Sequence, residues 1–250
     1  MTLNEYINSI KHKRIGVIGI GVSNTPLIKK LLESGCDVTA CDKRTAQQLG
    51  DEFYALSRLG AKFCLGEDYL EKLDFDLIFR TPGLMPFDEH LQAAVSRGAE
   101  LTSEMELFMK LCPCRIFAVT GSDGKTTTTT IISELLKAQG YTVHLGGNIG
   151  RPLLCDVDDM GKDDAAVLEL SSFQLHSMVC KPNVAVISIR IIRIISMPKA
   201  RHLLIRTSMT DSFSTMRTNS PHTMPKKQNL IYRISAALLS PRTAFTAQAA

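Results

Sequence analysis

Twice along this chain a short β-branched run breaks into glycines and resumes as a helix. The first instance is "RIGVIGIGVSN" followed by "TPLIKKLLESG", and the second is "RIFAVTGSDGKTTTTTIISELLKAQG". A strand, a glycine turn and a helix, followed by another strand, form a β-α-β unit. Such units build parallel sheets with ligands gathered at the strand C-termini. The expected fold is therefore α/β. In the first unit Pro26 sits early in the helix, Gly35 ends it, and "CDVTACDKR" is the next strand. A helix near 45–59, a strand "AKFCLG", a strand "FDLIFRTPG", a helix around 88–97, a short "AELTSE" and a helix over 104–111 follow. After the second start, Gly140 stops the helix, and "YTVHLGGNIG", "DAAVLELSSFQL" and "NVAVIS" read as further strands with loops at their ends. The string "CPC" interrupts the helical pattern and puts a domain boundary near 110–114.

Composition narrows the class. The 250 residues are 44% hydrophobic and 22% charged, as in ordinary globular proteins. No apolar run reaches the roughly 18 to 20 residues of a membrane helix. The start "MTLNEYINSIKHKR" has no apolar core of a secretory signal, so the expected location is cytoplasmic. Seven scattered cysteines read as reduced thiols, and Cys112 and Cys114 lack the second pair that a zinc site needs. None of the six histidines stands at metal-ligand spacing, and His176 reads as a polar residue on a helix.

The lysine loop is the sharpest feature. Gly121, Ser122, Asp123, Gly124, Lys125, Thr126 and Thr127 lie between a strand and a helix. Glycines let backbone N–H groups turn toward phosphate oxygens, and the helix N-terminus favours anions. Lys125 can reach the β- and γ-phosphates of a nucleotide, and a threonine hydroxyl can ligate Mg²⁺. Val119 stands where the usual motif has its first glycine, so the match is partial; the alternative is a glycine turn with a solvated lysine. The first loop, Gly19-x-Gly21-x-x-Asn24, lacks the third glycine of the dinucleotide fingerprint, with Asp42 placed to meet a ribose or base. The alternative there is a tight packing turn. Glu169 ends a strand and is either a magnesium ligand or a surface glutamate.

In that order "TGSDGKTTT", "GGNIG" and "LELSSFQL" resemble the Mur ligases of peptidoglycan synthesis. "GIGVSN", "CDKR", "TPG" and "SEMELF" resemble the UDP-binding domain of the same enzymes, and the resemblance covers about 1–187. It implies a Rossmann-like UDP-substrate domain over 1–110 and the first part of a P-loop ATPase-type α/β domain over 111–187. It implies ATP and Mg²⁺ as cofactors, and UDP-N-acetylmuramoyl-L-alanine and D-glutamate as partners. ATP phosphorylates the alanyl carboxylate, and the amine of D-glutamate then displaces phosphate. Lys125, Asn148 and Glu169 carry catalysis in this reading, and Thr126 and Glu169 hold the metal. Val22, Ser23, Asp42, Arg44, Thr81, Pro82, Gly83, Asn148, Ser171 and Gln174 contact substrate. A monomer without nucleic-acid or membrane partners is implied.

The resemblance stops near residue 188. Residues 1–187 carry 19 lysines and arginines against 24 acids, whereas 188–250 carry 10 against the single acid Asp211. The family continues with a Pro-Asn-His-Leu-Asp motif that this chain lacks. Ile192 to Met197 can be encoded as ATC CGA ATC ATC TCG ATG, and from the third base that string reads Pro-Asn-His-Leu-Asp. The tail over 188–250 thus reads as a frame-shifted, disordered basic segment, and ligase activity is expected to be absent. The rival readings are a UDP-sugar-binding fragment without catalysis, and a P-loop ATPase whose basic tail binds nucleic acid.

Overall fold

The structure, a computed structural model, describes residues 1–176, 178 and 182–188. The tail over 189–250, including the helical stretch that the pattern suggests near 228–239, lies outside the described residues.

The first helix, α1 (Leu3–Ile10), opens with a capping box: Thr2 Oγ1 accepts from Glu5 N, and the Glu5 carboxylate accepts from Thr2 N. Strand β1 (Arg14–Ile18), helix α2 (Asn24–Glu33) and strand β2 (Asp37–Asp42) form the first β-α-β unit. The helix expected over 45–59 is two short ones, α3 (Ala46–Leu49) and α4 (Asp51–Arg58). Gly50, at φ 56°, breaks the run because the chain turns there through a left-handed conformation. Strand β3 (Lys62–Leu65) follows. The "FDLIFRTPG" segment yields only a three-residue strand, β4 (Leu77–Phe79). Helix α5 (Glu89–Ser96), strand β5 (Glu100–Thr102) and helix α6 (Glu104–Leu111) complete this half, with Asp88 and Ser103 as side-chain caps. All five strands pair in parallel in the order β3-β2-β1-β4-β5.

The second sheet begins at β6 (Arg115–Gly121), continues through α7 (Lys125–Ala138) and β7 (Val143–Gly147), and takes in β8 (Ala165–Glu169) and β9 (Val184–Ser188). Its order is β7-β8-β6-β9, again all parallel. Between β7 and β8 the chain makes a 3-10 helix (Leu154–Asp159), which the periodicity did not announce, and α8 (Ser172–Leu175) follows β8. Strands β1, β4 and β8 are buried nearly throughout, as expected for parallel strands covered on both faces.

One apolar cluster runs through both sheets. It takes Val17 and Phe79 from the first, Ile116, Ala118 and Leu168 from the second, and Leu154 and Val157 from the 3-10 helix. The 3-10 helix also bonds the first half directly. Asp158 accepts from Leu3 N at 2.6 Å and Asn4 N at 3.2 Å, capping α1 across 155 residues of sequence. Glu104, at the start of α6, accepts from Leu154 N at 3.1 Å.

Candidate functional site

Both glycine loops end in cavities at the C-terminal edges of their sheets. The first is about 280 Å³ and is lined by Gly19, Ile20, Gly21, Val22, Ser23, Asn24, Asp42, Arg44 and Thr81. These residues follow β1, β2 and β4, where the strand order turns back on itself, and open α/β sheets bind ligands at such a point. Gly19 stands at φ 88°, and a Cβ there would lie 2.9 Å from Thr81, so the strand-to-loop bend needs glycine. Asn24 replaces the third glycine and does a different job. Its Nδ2 donates to the carbonyls of Ile18 and Gly19, pinning the loop from beneath.

Asp42 was expected to face a ribose or base. In the structure its carboxylate is occupied by protein: Oδ2 accepts from Ile20 N at 2.7 Å, and Oδ1 accepts from Arg44 N and Nε at 2.9 and 3.0 Å. Arg44 Nη2 also donates to Asp42 Oδ2 and to the Ile20 carbonyl. Burial alone would raise the Asp42 carboxyl, but the bonds from Arg44 and Ile20 outweigh it and hold it below the ordinary carboxylate range. Asp42 therefore acts first as the brace that fixes the loop and aims the Arg44 guanidinium, which is still 45% exposed. Pro82 and Gly83 are not among the cavity-lining residues; of the "TPG" string only Thr81 is.

The second cavity, about 350 Å³, is lined by Ser122, Asp123, Gly124, Lys125, Thr126, Thr127, Asn148 and Glu169. Gly121 shapes it from behind. At φ 143° a Cβ would stand 1.8 Å from the Ser188 carbonyl, which accepts from Ser122 N at 3.0 Å. Gly124, at φ 71°, reverses the chain into α7 and exposes that helix's N-terminus to the cavity. Lys125 Nζ folds back onto the Gly121 carbonyl at 2.9 Å, so the ammonium is already poised over the loop. The other threonines of the run are helical: Thr129 and Thr130 donate to the carbonyls of Lys125 and Thr126.

Glu169 is not a surface glutamate. It is 2% exposed, at the end of β8, with Thr126 Oγ1 donating to Oε2 at 2.7 Å and Asn148 Nδ2 donating to Oε1 at 3.1 Å. The "GGNIG" string explains how Asn148 gets there. A Cβ on Gly147 would meet the Glu169 carbonyl at 2.1 Å, and one on Gly146 would meet the Leu153 side chain at 2.6 Å. Gly147 lets β7 lie this close to β8, Gly146 makes room for Leu153, and Asn148 N then donates to the Glu169 carbonyl at 2.7 Å.

Ser171 and Gln174 stand apart from both cavities. They form the capping box of α8: Ser171 Oγ accepts from Gln174 N, and Gln174 Oε1 accepts from Ser171 N at 2.9 Å. His176 follows that helix, exposed, its ring edge-on to Phe87 with centroids 5.7 Å apart. Phe87 comes from the loop after Thr81, a contact that no local pattern signalled.

A hydroxyl, one carboxylate and an amide oxygen beside a phosphate-cradling loop are hard oxygen donors. That set suits Mg²⁺, which usually takes one or two protein carboxylates and completes its shell with phosphates and water. Among the described residues no group of three or more His, Cys, Asp or Glu side chains could hold a metal alone. The site therefore fits an ion that arrives with a nucleotide. No helix among the described residues is long and apolar enough to cross a membrane.

Two parallel sheets, each with a glycine loop and a cavity at its C-terminal edge, define an α/β protein built from a Rossmann-like and a P-loop-type sheet. Residues 119–189 match the Mur ligase middle domain. The chain is 56% identical over 187 residues to the UDP-N-acetylmuramoylalanine–D-glutamate ligase of Ruminiclostridium cellulolyticum, and 51% identical to that of Acetivibrio thermocellus. Each match takes in 74% of this chain and 40% of the relative, so the chain spans about two fifths of the length of the curated relatives it matches. Over these residues the chain is similar to the Mur ligases. Likeness to solved structures is looser. The UDP-N-acetylmuramate:L-alanyl-γ-D-glutamyl-meso-diaminopimelate ligase of Neisseria meningitides gives a TM-score of 0.43 at 19% identity, over 74% of this chain and 64% of that one. The UDP-N-acetylmuramate–alanine ligase of Thermotoga maritima gives 0.42 at 21%, over 72% and 42%.

Proposed function

We propose that this chain carries the UDP-sugar pocket and the ATP-phosphate loop of a D-glutamate-adding, amide-forming ligase of peptidoglycan synthesis. The reading divides it into a UDP-substrate module over 1–110 and the first part of an ATP module over 111–187. The observation that carries it is the Thr126–Glu169–Asn148 triad beside Lys125. In this reading the main-chain amides of 121–127 and the α7 N-terminus cradle the ATP phosphates. Lys125 leaves the Gly121 carbonyl to meet the β- and γ-phosphates. Thr126 and Glu169 would hold Mg²⁺, which when bound would supply positive charge to neutralise the phosphates. Asn148 keeps the Glu169 carboxylate aimed, and Arg44 with the loop before α2 at Val22 and Ser23 receives the uridine diphosphate of UDP-N-acetylmuramoyl-L-alanine. Pro82 and Gly83 shape the loop below, and Ser171 and Gln174 act on substrate through the placement of α8. Transfer of the γ-phosphoryl group to the alanyl carboxylate and attack by D-glutamate are the reaction of this class. The chain works as a cytoplasmic monomer without nucleic-acid or membrane partners.

Positioning groups supply much of such a barrier reduction, and the family's Pro-Asn-His-Leu-Asp motif is not in this sequence. Binding of both nucleotides without turnover is therefore the expected behaviour. Titration of the full chain with ATP·Mg and, separately, with UDP-N-acetylmuramoyl-L-alanine should give two saturable isotherms and no phosphate release when D-glutamate is added. Lys125→Ala should weaken the ATP isotherm at least about tenfold, the scale of one charge-assisted contact, and leave the UDP isotherm unchanged. An ATP isotherm indifferent to Lys125 removes the reading; phosphate release at a steady rate removes its inactive half.

A further inference from the structure

Cys112, Pro113 and Cys114 make up the entire link between α6, which ends at Leu111, and β6, which starts at Arg115. Cys112 caps α6, its N–H donating to the Phe108 carbonyl at 2.8 Å, and its backbone then swings to φ −56°, ψ 120°. Proline demands that extended conformation of the residue before it. The turn brings both side chains to the same side, and the two sulfurs stand 3.2 Å apart. A disulfide bond measures about 2.05 Å, so closing the pair needs a movement of roughly 1 Å. Cys114 is buried at the edge of the apolar cluster, whereas Cys112 is half-buried beside the exposed Pro113.

We propose that Cys112 and Cys114 are a dithiol oxidation site, closed to an intrachain disulfide by low-molecular-weight disulfides and reopened by thiols. The accessible Cys112 reacts first. The hydrogen bond shared by the two sulfurs holds the Cys112 thiol below its ordinary range, more than burial raises it, and the same bond raises Cys114. The Cys112 thiolate attacks one sulfur of the small disulfide, forms a mixed disulfide and expels one thiolate. Cys114 then gives up its proton and attacks Cys112 Sγ, which expels the second thiolate. The two cysteines lose two electrons and two protons, and the small disulfide gains both as two free thiols. A ring this small around a proline is strained, and strained disulfides are the readily reduced ones. The site is therefore reversible, and it lies on the strap joining the two sheets. None of this depends on the nucleotide reading.

The other described cysteines serve as internal controls. Burial raises the thiols of Cys36, Cys41 and Cys155. Cys41 and Cys64 are register partners on β2 and β3, and a hydrogen bond between their side chains adds to burial in raising the Cys41 thiol, which makes this pair the competing site. The test treats the purified full chain with glutathione disulfide, quenches it in acid, alkylates it under denaturing conditions and maps the peptides. The seven alkylatable thiols should fall by two, both in the peptide holding 112–114, and dithiothreitol should restore them. Cys114→Ser should instead trap one glutathionyl group on Cys112, and Cys112→Ser should give neither product at Cys114. Retention of all seven thiols in the wild-type chain overturns the proposal, as does closure of Cys41 with Cys64 in its place. So does glutathionylation of Cys114 in the Cys112→Ser chain at the wild-type rate.

Discussion

Glu104 is a charged residue type in an apolar place. It is 6% exposed, wedged between α6 and the 3-10 helix, and burial lifts its carboxyl from 4.5 to about 7, with the Leu154 N–H pulling slightly the other way. A folded-state value above the unfolded one means that the fold binds the proton more tightly. The stabilisation from the protonated form is complete below about pH 4.5 and is lost as pH rises through about 7. Glu104→Gln keeps the acceptor for Leu154 N and has nothing to ionise. Denaturant unfolding at pH 5.5 and 8 should find the variant more stable than wild type at the higher pH, by on the order of 1–3 kcal/mol, with the gap narrowing at the lower. A gap independent of pH would show that Glu104 does not titrate between these values. Nothing in "SEMELF" signals this: an acid in the first turn of a helix is ordinary, and only the 3-10 helix laid over it makes it costly. The same holds for Asp42. Its place at a strand end was legible, but its use as a brace for Arg44 depends on the direction of a side chain two residues on.

At the level of elements, the close strand pair β7–β8 and the remote cap on α1 make separate claims. Gly147→Ala forces a Cβ to within 2.1 Å of a backbone carbonyl at a φ of 99°. The strand pair must part, at a cost of roughly 2–3 kcal/mol, and Asn148 loses its reach to Glu169. The variant should melt lower and bind ATP·Mg more weakly, even though residue 147 touches neither; a variant with wild-type affinity would separate the glycine from the site. Asp158→Ala strips the acceptor from the first N–H groups of α1 and should destabilise the chain by about 1 kcal/mol, read as a lower denaturant midpoint without a change in ATP affinity. The elements themselves were largely visible in the sequence, because hydrophobic period, caps and glycine stops act over a few residues. The misses are local too. Gly50 splits one helix into two by its left-handed turn, and β4 shortens because the chain leaves the sheet at Arg80, whose guanidinium holds the Thr81 and Leu84 carbonyls.

Across the whole molecule, one cluster of side chains spans both sheets, so the halves should not melt separately. Phe108 is fully buried in that cluster. Phe108→Ala should cost about 3–5 kcal/mol and lower a single unfolding transition that circular dichroism and nucleotide protection report at the same temperature; two resolved transitions would contradict a shared core. The sequence alone determined that the chain is two runs of strand, glycine loop and helix, that its second glycine loop ends in Lys125 and Thr126, and which family it resembles. Those properties reside in residue types and spacings a few positions long. What only the tertiary structure decided is neighbourhood. With β8 between β7 and β6, Glu169 meets Thr126 across 43 residues and Asn148 across 21. The 3-10 helix, docked on α1 and α6, buries Glu104 and turns Asp158 into a cap. Separation along a chain carries no information about distance in space until strand order is fixed, and strand order is set by packing of the whole core.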